Sequence, residues 1–329
     1  MDTLTNAYTD LLAFLYEGAV LPFLYATGLM AWEEDALGWL DFAVLGVLQI
    51  TLIWLVCRPL EAWKPVERWD DRREVVTDIL YTVLTRLGLL PLLVFVLFRP
   101  LQSWLQGSFA DAGLTPPTLE GWFPILREYP AIAFVAYVVI LDFGDYWRHR
   151  LQHALPWWYA LHAVHHAQTK MTFWTDDRNH LLDDLFAGIW FGLLALLIGV
   201  PPAQFPLIIL VLRFVEALSH ANVRLSFGAV GERLVVSPRF HRVHHGPLSA
   251  GEDGRNYAVL LPIWDVLFRT ADFRRDVFPT TGDPDVPEVL ATGSWWRQQV
   301  EGARGFGRAV RRRRVIVSDA PRRQEAGAD

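Results

Sequence analysis

Residues 161–166 read LHAVHH and residues 240–245 read FHRVHH. The same crowded pattern, His-x-x-His-His, occurs twice about 80 residues apart. A third cluster precedes them, His149 and His153 in WRHRLQH. On a helix, spacings of three and four residues put side chains on one face. Protonated imidazoles packed this closely repel each other, and neutral ones gain little from proximity. A shared cation removes the difficulty, and His is the commonest metal ligand. The chain has 10 His, and eight of them sit in these clusters: His149 and His153; His162, His165 and His166; His241, His244 and His245. His180 (in DDRNH) and His220 (in EALSHAN) stand alone, where an ordinary hydrogen-bonded histidine is the competing explanation.

All-imidazole sites suit Zn, Cu, Fe or Ni. A tetrahedral zinc needs four ligands, or three and a water, so this many histidines exceed one ion and match two. HExxH is missing, which removes the commonest zinc-protease motif. The single Cys57 excludes intramolecular disulfides and cysteine-based clusters.

The elements that position the histidines are apolar. The chain is 52% hydrophobic with 15 Trp and 20 Phe, and its mean hydropathy is +0.21. The apolar residues come in blocks: Leu11 to Trp32, Trp39 to Cys57, Ile79 to Phe98 and Pro130 to Tyr146. Each approaches the roughly 20 residues that cross a bilayer as helix. A fifth block, Leu185 to Leu212, carries no charge, and its GVPPAQFP centre predicts a turn between two short arms. Such a hairpin enters and leaves on one side, which keeps both His-x-x-His-His stretches in one compartment. Arg58, Lys64, Arg68, Arg72 and Arg73 place the segment after the second block in the cytoplasm, and every histidine then follows on that side. The acidic start MDTLTNAYTD lacks the basic region of a signal peptide.

The net charge of −6 says little about partners. Arg304, Arg308 and Arg311 to Arg314 make the end of the chain basic, either as a solvated, partly disordered tail or as a contact with anionic lipid headgroups. No nucleic-acid module is recognisable. Carboxylates that orient ligand rings are expected near a metal. Asp142 and Asp145, two turns and one turn before His149, are candidates, with Asp183, Asp184 and Asn222 as weaker ones. Glu216, one turn before His220, is a candidate ligand or supporting acid. Trp157, Trp158 and Trp174 are expected at the membrane interface near the site.

With DFGDYWRHRLQH (142–153), LHAVHH (161–166), RNH (178–180), SHAN (219–222), SPRFHRVHH (237–245) and NYAVLLPIWDVLF (256–268), the sequence resembles the fatty acid hydroxylase / sterol desaturase superfamily of integral-membrane di-iron enzymes over residues 138–270. Ala258 and Arg269 stand where that family usually has glycine. The resemblance implies two Fe ions held by the clustered histidines with His180 and His220, zinc being able to replace them in purified protein. It further implies O2 as cosubstrate, a lipid substrate, and a separate electron donor of ferredoxin or cytochrome type with its reductase. Some relatives carry a histidine at the position of Glu216.

The expected architecture is all-α: about four transmembrane helices and a short hairpin under a cytoplasmic cap with a dinuclear metal site. Residues 1–128 would form an N-terminal transmembrane region, 129–275 the catalytic region, and 276–329 a basic, partly disordered cytoplasmic tail. The setting would be a bacterial inner membrane. The expected activity is O2-dependent hydroxylation of a membrane lipid. Desaturation is the close alternative, since the same C–H cleavage starts both. A His-rich metal transporter or a zinc hydrolase are the alternatives of another class.

Overall fold

A computed structural model describes residues 2–90, 92–93, 104, 107–109, 111–113, 118–200, 205–247 and 254–318. Among these residues there is no β-strand. The helices that matter for the site are α1 (Asp2–Leu15), α2 (Leu21–Thr27), α3 (Glu33–Trp63), α4 (Arg73–Arg86), α5 (Pro130–Ala154), α6 (Pro156–His166), α7 (Leu181–Ile198), α8 (Phe205–His220), α9 (Pro238–His244) and α10 (Trp295–Ser318).

Among the described residues, four helical stretches are long and apolar enough to cross a membrane: Asn6–Thr27, Met30–Trp63, Pro130–Ala154 and Leu181–Ile198. The first runs from α1 into α2 through a π turn at Tyr16–Val20. Three of the four coincide with expected blocks. The third expected block, Ile79 to Phe98, lies only partly within the described residues; its described part runs back along α3, with Gly88 against Phe42 and Trp39. Its first part lies in α4, which ends at Arg86 and turns through the left-handed Gly88 (φ +77°); residues 94–98 lie outside the described residues. On α4 itself Asp78, Thr82 and Arg86 are buried and carry polar partners. The fourth span is instead the first arm of the expected hairpin.

The hairpin does form in the sense that matters. Asp183 at the start of α7 and His220 at the end of α8 both reach the histidine cluster, so the chain leaves and returns to the same end of the bundle. Pro201 and Pro202 of the expected turn lie outside the described residues.

The apolar packing holds the histidine-bearing helices together. Tyr137, Val138 and Leu141 of α5 pack with Ile198 of α7, Ile208 of α8 and Leu260. Ile53 and Cys57 of α3 pack with Ala217 of α8 and Phe173. Tyr81 of α4 packs with Ala163 and Val164 of α6 and with Leu290. Tyr146 of α5 packs with Phe240 of α9 and with Tyr257 and Ala258. Gly144 permits close contact of α5 and α7: a Cβ there would lie 2.3 Å from Leu194 Cδ1, and Trp190 donates to the Gly144 carbonyl at 3.0 Å. The turn from α5 into α6 follows from Pro156. Proline disfavours helix at the residue before it, and Leu155 is extended (φ −105°, ψ 109°).

Much of the region after residue 276, expected as a basic tail, is helical. Trp295–Ser318 is one helix, and its first half packs on α6. Gln298 and Gln299 are buried, and Tyr81 donates to Gln298 at 2.8 Å. Residues 319–329 of the expected tail lie outside the described residues.

Candidate metal centre

The histidines gather into two adjoining groups. His149, His153, His162, His166 and His244 form one; His165, His220, His241 and His245 form the other, with the candidate ligand atoms of each group within 4.8 Å of one another. All are buried except His153, which is half-buried. The repeated motif now has a geometric meaning. In LHAVHH, His162 and His166 are one turn apart and serve the first group, while His165 turns to the second. In FHRVHH, His241 and His245 serve the second group, while His244 turns to the first. Each motif gives two donors to one group and one to the other, and the doublets hold the groups side by side: the His166 and His245 rings stack with centroids 4.4 Å apart.

Every ring comes from the end of a helix. His149 and His153 lie in the last two turns of α5, His165 and His166 close α6, His220 closes α8, and His241 and His244 sit in α9 with His245 as its cap. Four helix C-termini therefore converge on the cluster. Their unpaired carbonyl ends carry partial negative charge, which favours a cation.

Hydrogen bonds fix which nitrogen faces inward. His149 donates from Nδ1 to the Tyr257 carbonyl at 2.8 Å. His244 does so to Arg255 at 2.8 Å and His220 to Glu216 at 2.7 Å. Nδ1 of His162 faces the Asp183 carboxylate at 3.3 Å. A carbonyl only accepts, so Nδ1 carries the proton and Nε2 presents a lone pair to the interior. Nε2 of His149, His153 and His162 is buried with no hydrogen-bond partner. Other Nε2 atoms face each other: His165 to His220 at 3.1 Å, His220 to His241 at 3.0 Å, His241 to His245 at 3.1 Å, and His166 to His244 at 3.1 Å.

Burial first, then the neighbouring imidazoles and other positive groups, holds His162, His165, His166, His241 and His245 well below the ordinary histidine range. Burial likewise pushes His244 down to about 4. Neutral rings with lone pairs about 3 Å apart are uncomfortable unless something positive lies between them. Ligands about 2.1 Å from an ion and at right angles are separated by about 3.0 Å. The donor set thus fits two imidazole-ligated transition-metal ions, with five and four donors leaving coordination positions open.

The surrounding groups act at one remove. Asp183 accepts from Gln152 (2.8 Å) and Trp158 (2.8 Å) besides facing His162, so one buried carboxylate joins α5, α6 and α7. Asp142 accepts from the Leu260 and Leu261 amides (2.9 and 3.1 Å) and from Trp264 Nε1 (2.7 Å). It touches no histidine, but it holds the segment whose Tyr257 carbonyl orients His149. Asp265 completes that segment by accepting from the Tyr257 and Ala258 amides at 2.9 and 2.8 Å.

Several expected residues are placed elsewhere. His180 joins neither group. Its Nδ1 accepts from the Leu182 amide (3.0 Å), capping α7, and its Nε2 donates to the Gln299 carbonyl (2.7 Å), so neither lone pair is free for a metal. Gly302 allows this approach, since a Cβ there would lie 2.5 Å from His180 Cδ2. Asp145 pairs with Arg148 at 2.6 Å. Asn222 exchanges hydrogen bonds with the Glu67 backbone at 3.1 and 2.8 Å and tethers the loop after α3. The Glu216 carboxylate pairs with Arg213 at 3.2 Å, and it is the Glu216 backbone carbonyl that meets His220. Asp184 is not among the residues that meet a histidine. Trp158 binds Asp183, and Trp157 stacks on it with ring centroids 5.4 Å apart.

Sequence reasoning missed the residues beside His180. Asp176 and Asp177 form a buried pair of bridges to Arg86 of α4 at 2.7 and 2.6 Å, and Asp176 lies 3.8 Å from His220 Nδ1. Arg178, fully buried, pairs with Asp78 and donates to the Val164 carbonyl of α6 at 2.9 Å. The signal was present as three consecutive charges in TDDRNH between apolar segments. A small cavity of about 60 Å³ touches His149 and His162 of one group and His165, His220 and His241 of the other. Apart from Val259, the rest of its lining is polar: Arg148, Arg213, Glu216, Asp176, Asn179 and Ser219.

The fatty acid hydroxylase family model matches residues 134–270. Ornithine lipid hydroxylase OlsE of Rhizobium tropici is 28% identical over 267 residues, covering 78% of this chain and 73% of that protein. Alkylglycerol monooxygenase of Homo sapiens is 28% identical over 229 residues, covering 70% of this chain and 46% of that protein. Delta(7)-sterol 5(6)-desaturase ERG3B of Gibberella zeae is 26% identical over 125 residues, 38% and 37% of the two chains. The chain thus spans less than half the length of the last two. No solved structure matches it.

Proposed function

We propose that this protein is an integral-membrane di-iron monooxygenase that hydroxylates a C–H bond of a membrane lipid, a reading supported by the match of residues 134–270 to the fatty acid hydroxylase family model and by its lipid-hydroxylating relatives. The observation that carries the reading is the pair of adjoining imidazole groups, with five and four donors, opening on one shared cavity. Amino-acid side chains do not attack unactivated C–H bonds; two irons held by these histidines would supply the dioxygen chemistry that does. The nine histidines hold the ions, Asp183 and the Tyr257, Arg255 and Glu216 carbonyls orient the rings, and buried packing keeps bulk water from the centre.

The mixed charge of the cavity favours a lipid oxidised close to its polar region. Arg148, Arg213, Glu216 and Asp176 lie beside the histidines, where a bare hydrocarbon tail gains nothing. Two relatives, an ornithine lipid hydroxylase and an alkylglycerol monooxygenase, act on polar-headed lipids, which agrees with such a substrate. Orientation follows from the basic segment Arg58 to Arg73, which puts the histidines and the C-terminus in the cytoplasm; a bacterial inner membrane is the setting proposed.

Desaturation remains the second reading, favoured by the sterol desaturase relative. The test is incubation of the iron-loaded protein with membrane lipids, a reductase system and 18O2. Hydroxylation gives a product carrying one 18O; desaturation gives loss of two hydrogens without label. Turnover that persists without O2 would overturn both and return the zinc hydrolase alternative.

A further inference from the structure

Two electrons must reach a centre that is almost entirely buried, and the structure offers one well-formed approach. Between α6 and α10 lies a groove of about 660 Å³. Tyr159 lines it, and the same ring lies 5.4 Å, centroid to centroid, from His153 and 6.2 Å from His166. The Tyr159 hydroxyl donates to Asp283, whose own amide donates to the His166 carbonyl at 3.0 Å. One side chain thus separates the surface from two histidines of the first group. His153 is also the least buried of the nine.

Helix α10, whose Arg308 and Arg312 line the groove, carries a charged stripe that continues beside it. Arg297, Arg304, Arg308 and Arg311 recur at helical spacing on α10 and are exposed, with Arg312 beside them. Glu301 is the one acid in that stripe and pairs with Arg308 at 2.7 Å. The opposite face, with Gln298, Gln299 and Gly302, is buried. A basic stripe steers acidic partners. The acids Asp283, Asp285 and Glu301 in the groove oppose an anionic lipid surface. A protein carrying its own counter-charges suits this mixed rim better.

We propose that the α6–α10 groove is the docking surface for a small acidic one-electron carrier protein, with Tyr159 as the positioning residue that couples it to His153 and His166. This rests on the monooxygenase reading. Each encounter passes one electron from the reduced carrier to the centre, and the carrier leaves oxidised. Two encounters meet the balance RH + O2 + 2e− + 2H+ → ROH + H2O, with protons drawn from solvent.

The test uses the full chain in nanodiscs and two acidic probes, a plant-type [2Fe–2S] ferredoxin and a cytochrome b5. Their binding is measured by biolayer interferometry, with metal-loaded and metal-free protein. Wild type is expected to bind a probe at low salt and release it at high salt. The Arg304→Glu/Arg308→Glu/Arg311→Glu variant is expected to lose roughly 10-fold or more in affinity, with metal content and reduction by dithionite unchanged. Tyr159→Leu is expected to keep probe binding while slowing reduction by the bound probe, and Tyr159→Phe to restore that rate. Failure of wild type to bind either probe would overturn the proposal. So would an arginine variant that binds the probe normally but loses affinity for phosphatidylglycerol vesicles, which would assign the stripe to the membrane. If probe binding behaves as expected but dithionite-reduced protein oxidises no lipid, the docking surface stands and the monooxygenase reading fails.

Discussion

At the scale of single residues, nine histidines are grouped so that they could hold metal, while His180 holds backbone. His162→Gln removes a donor from the first group and is expected to lower bound metal, whereas His180→Gln should leave the stoichiometry intact and lower only thermal stability. Elemental analysis of the two variants decides this; equal metal loss in both would return His180 to the ligand set. Asp183→Asn keeps the shape but weakens the acceptor facing His162, and losing such an orienting partner costs about 10–100-fold in metal affinity or activity. Competition with a chelator of known affinity measures it. Acidity gives a further check. The buried rings are neutral when folded, with His244 near 4, while unfolded histidine titrates near 6.5. Below about 6.5 the unfolded chain binds more protons, so the contribution of these rings to stability is complete above that pH and declines toward the folded values. Proton competition weakens metal binding in the same direction. Dialysis across pH 8 to 4 should show metal retained at the alkaline end and lost in the acidic range; full retention at pH 4 would contradict neutral imidazole ligation.

The clustered histidines were legible because their spacing repeats. Their division was not, since no rule of helical periodicity says that adjacent His165 and His166 serve different groups. His180 misled for the opposite reason: its spacing says nothing of its partners, and only the Leu182 amide on its Nδ1 and the Gln299 carbonyl at its Nε2 show that it holds backbone. Asp142 was expected to orient a ligand ring, but its partners are a backbone segment and Trp264, a tertiary fact absent from local pattern.

At the scale of elements, the site depends on helix ends brought together by a few buried polar clasps. Asp142 is one of them. Asp142→Ala leaves the Leu260 and Leu261 amides and Trp264 without their acceptor. Each unsatisfied buried group costs about 1–3 kcal/mol, enough to loosen the Tyr257 carbonyl from His149. The expected result is a lower melting temperature with greater hydrogen exchange in residues 254–270; unchanged exchange there would remove Asp142 from this role. The apolar blocks Leu11 to Trp32, Trp39 to Cys57 and Pro130 to Tyr146 were readable from hydropathy. The buried polar face of α4 and the docking of α10 on α6 were not. Both rest on long-range partners: Arg86 with Asp176 and Asp177, and Tyr81 with Gln298.

At the scale of the whole molecule, four candidate spans carry a helical cap whose helix C-termini meet at one place. Hydropathy and lysine–arginine bias give the proposed topology, and the closeness of Asp183 and His220 to the same centre gives independent support for α7 and α8 forming a hairpin. The central claim is that this one place holds two irons. The most direct test is elemental analysis with Mössbauer spectroscopy on the detergent-purified full chain after iron-supplemented expression and anaerobic iron reconstitution. The account predicts about two irons per chain, spin-coupled when oxidised. A single iron, or zinc that iron does not displace, would contradict it.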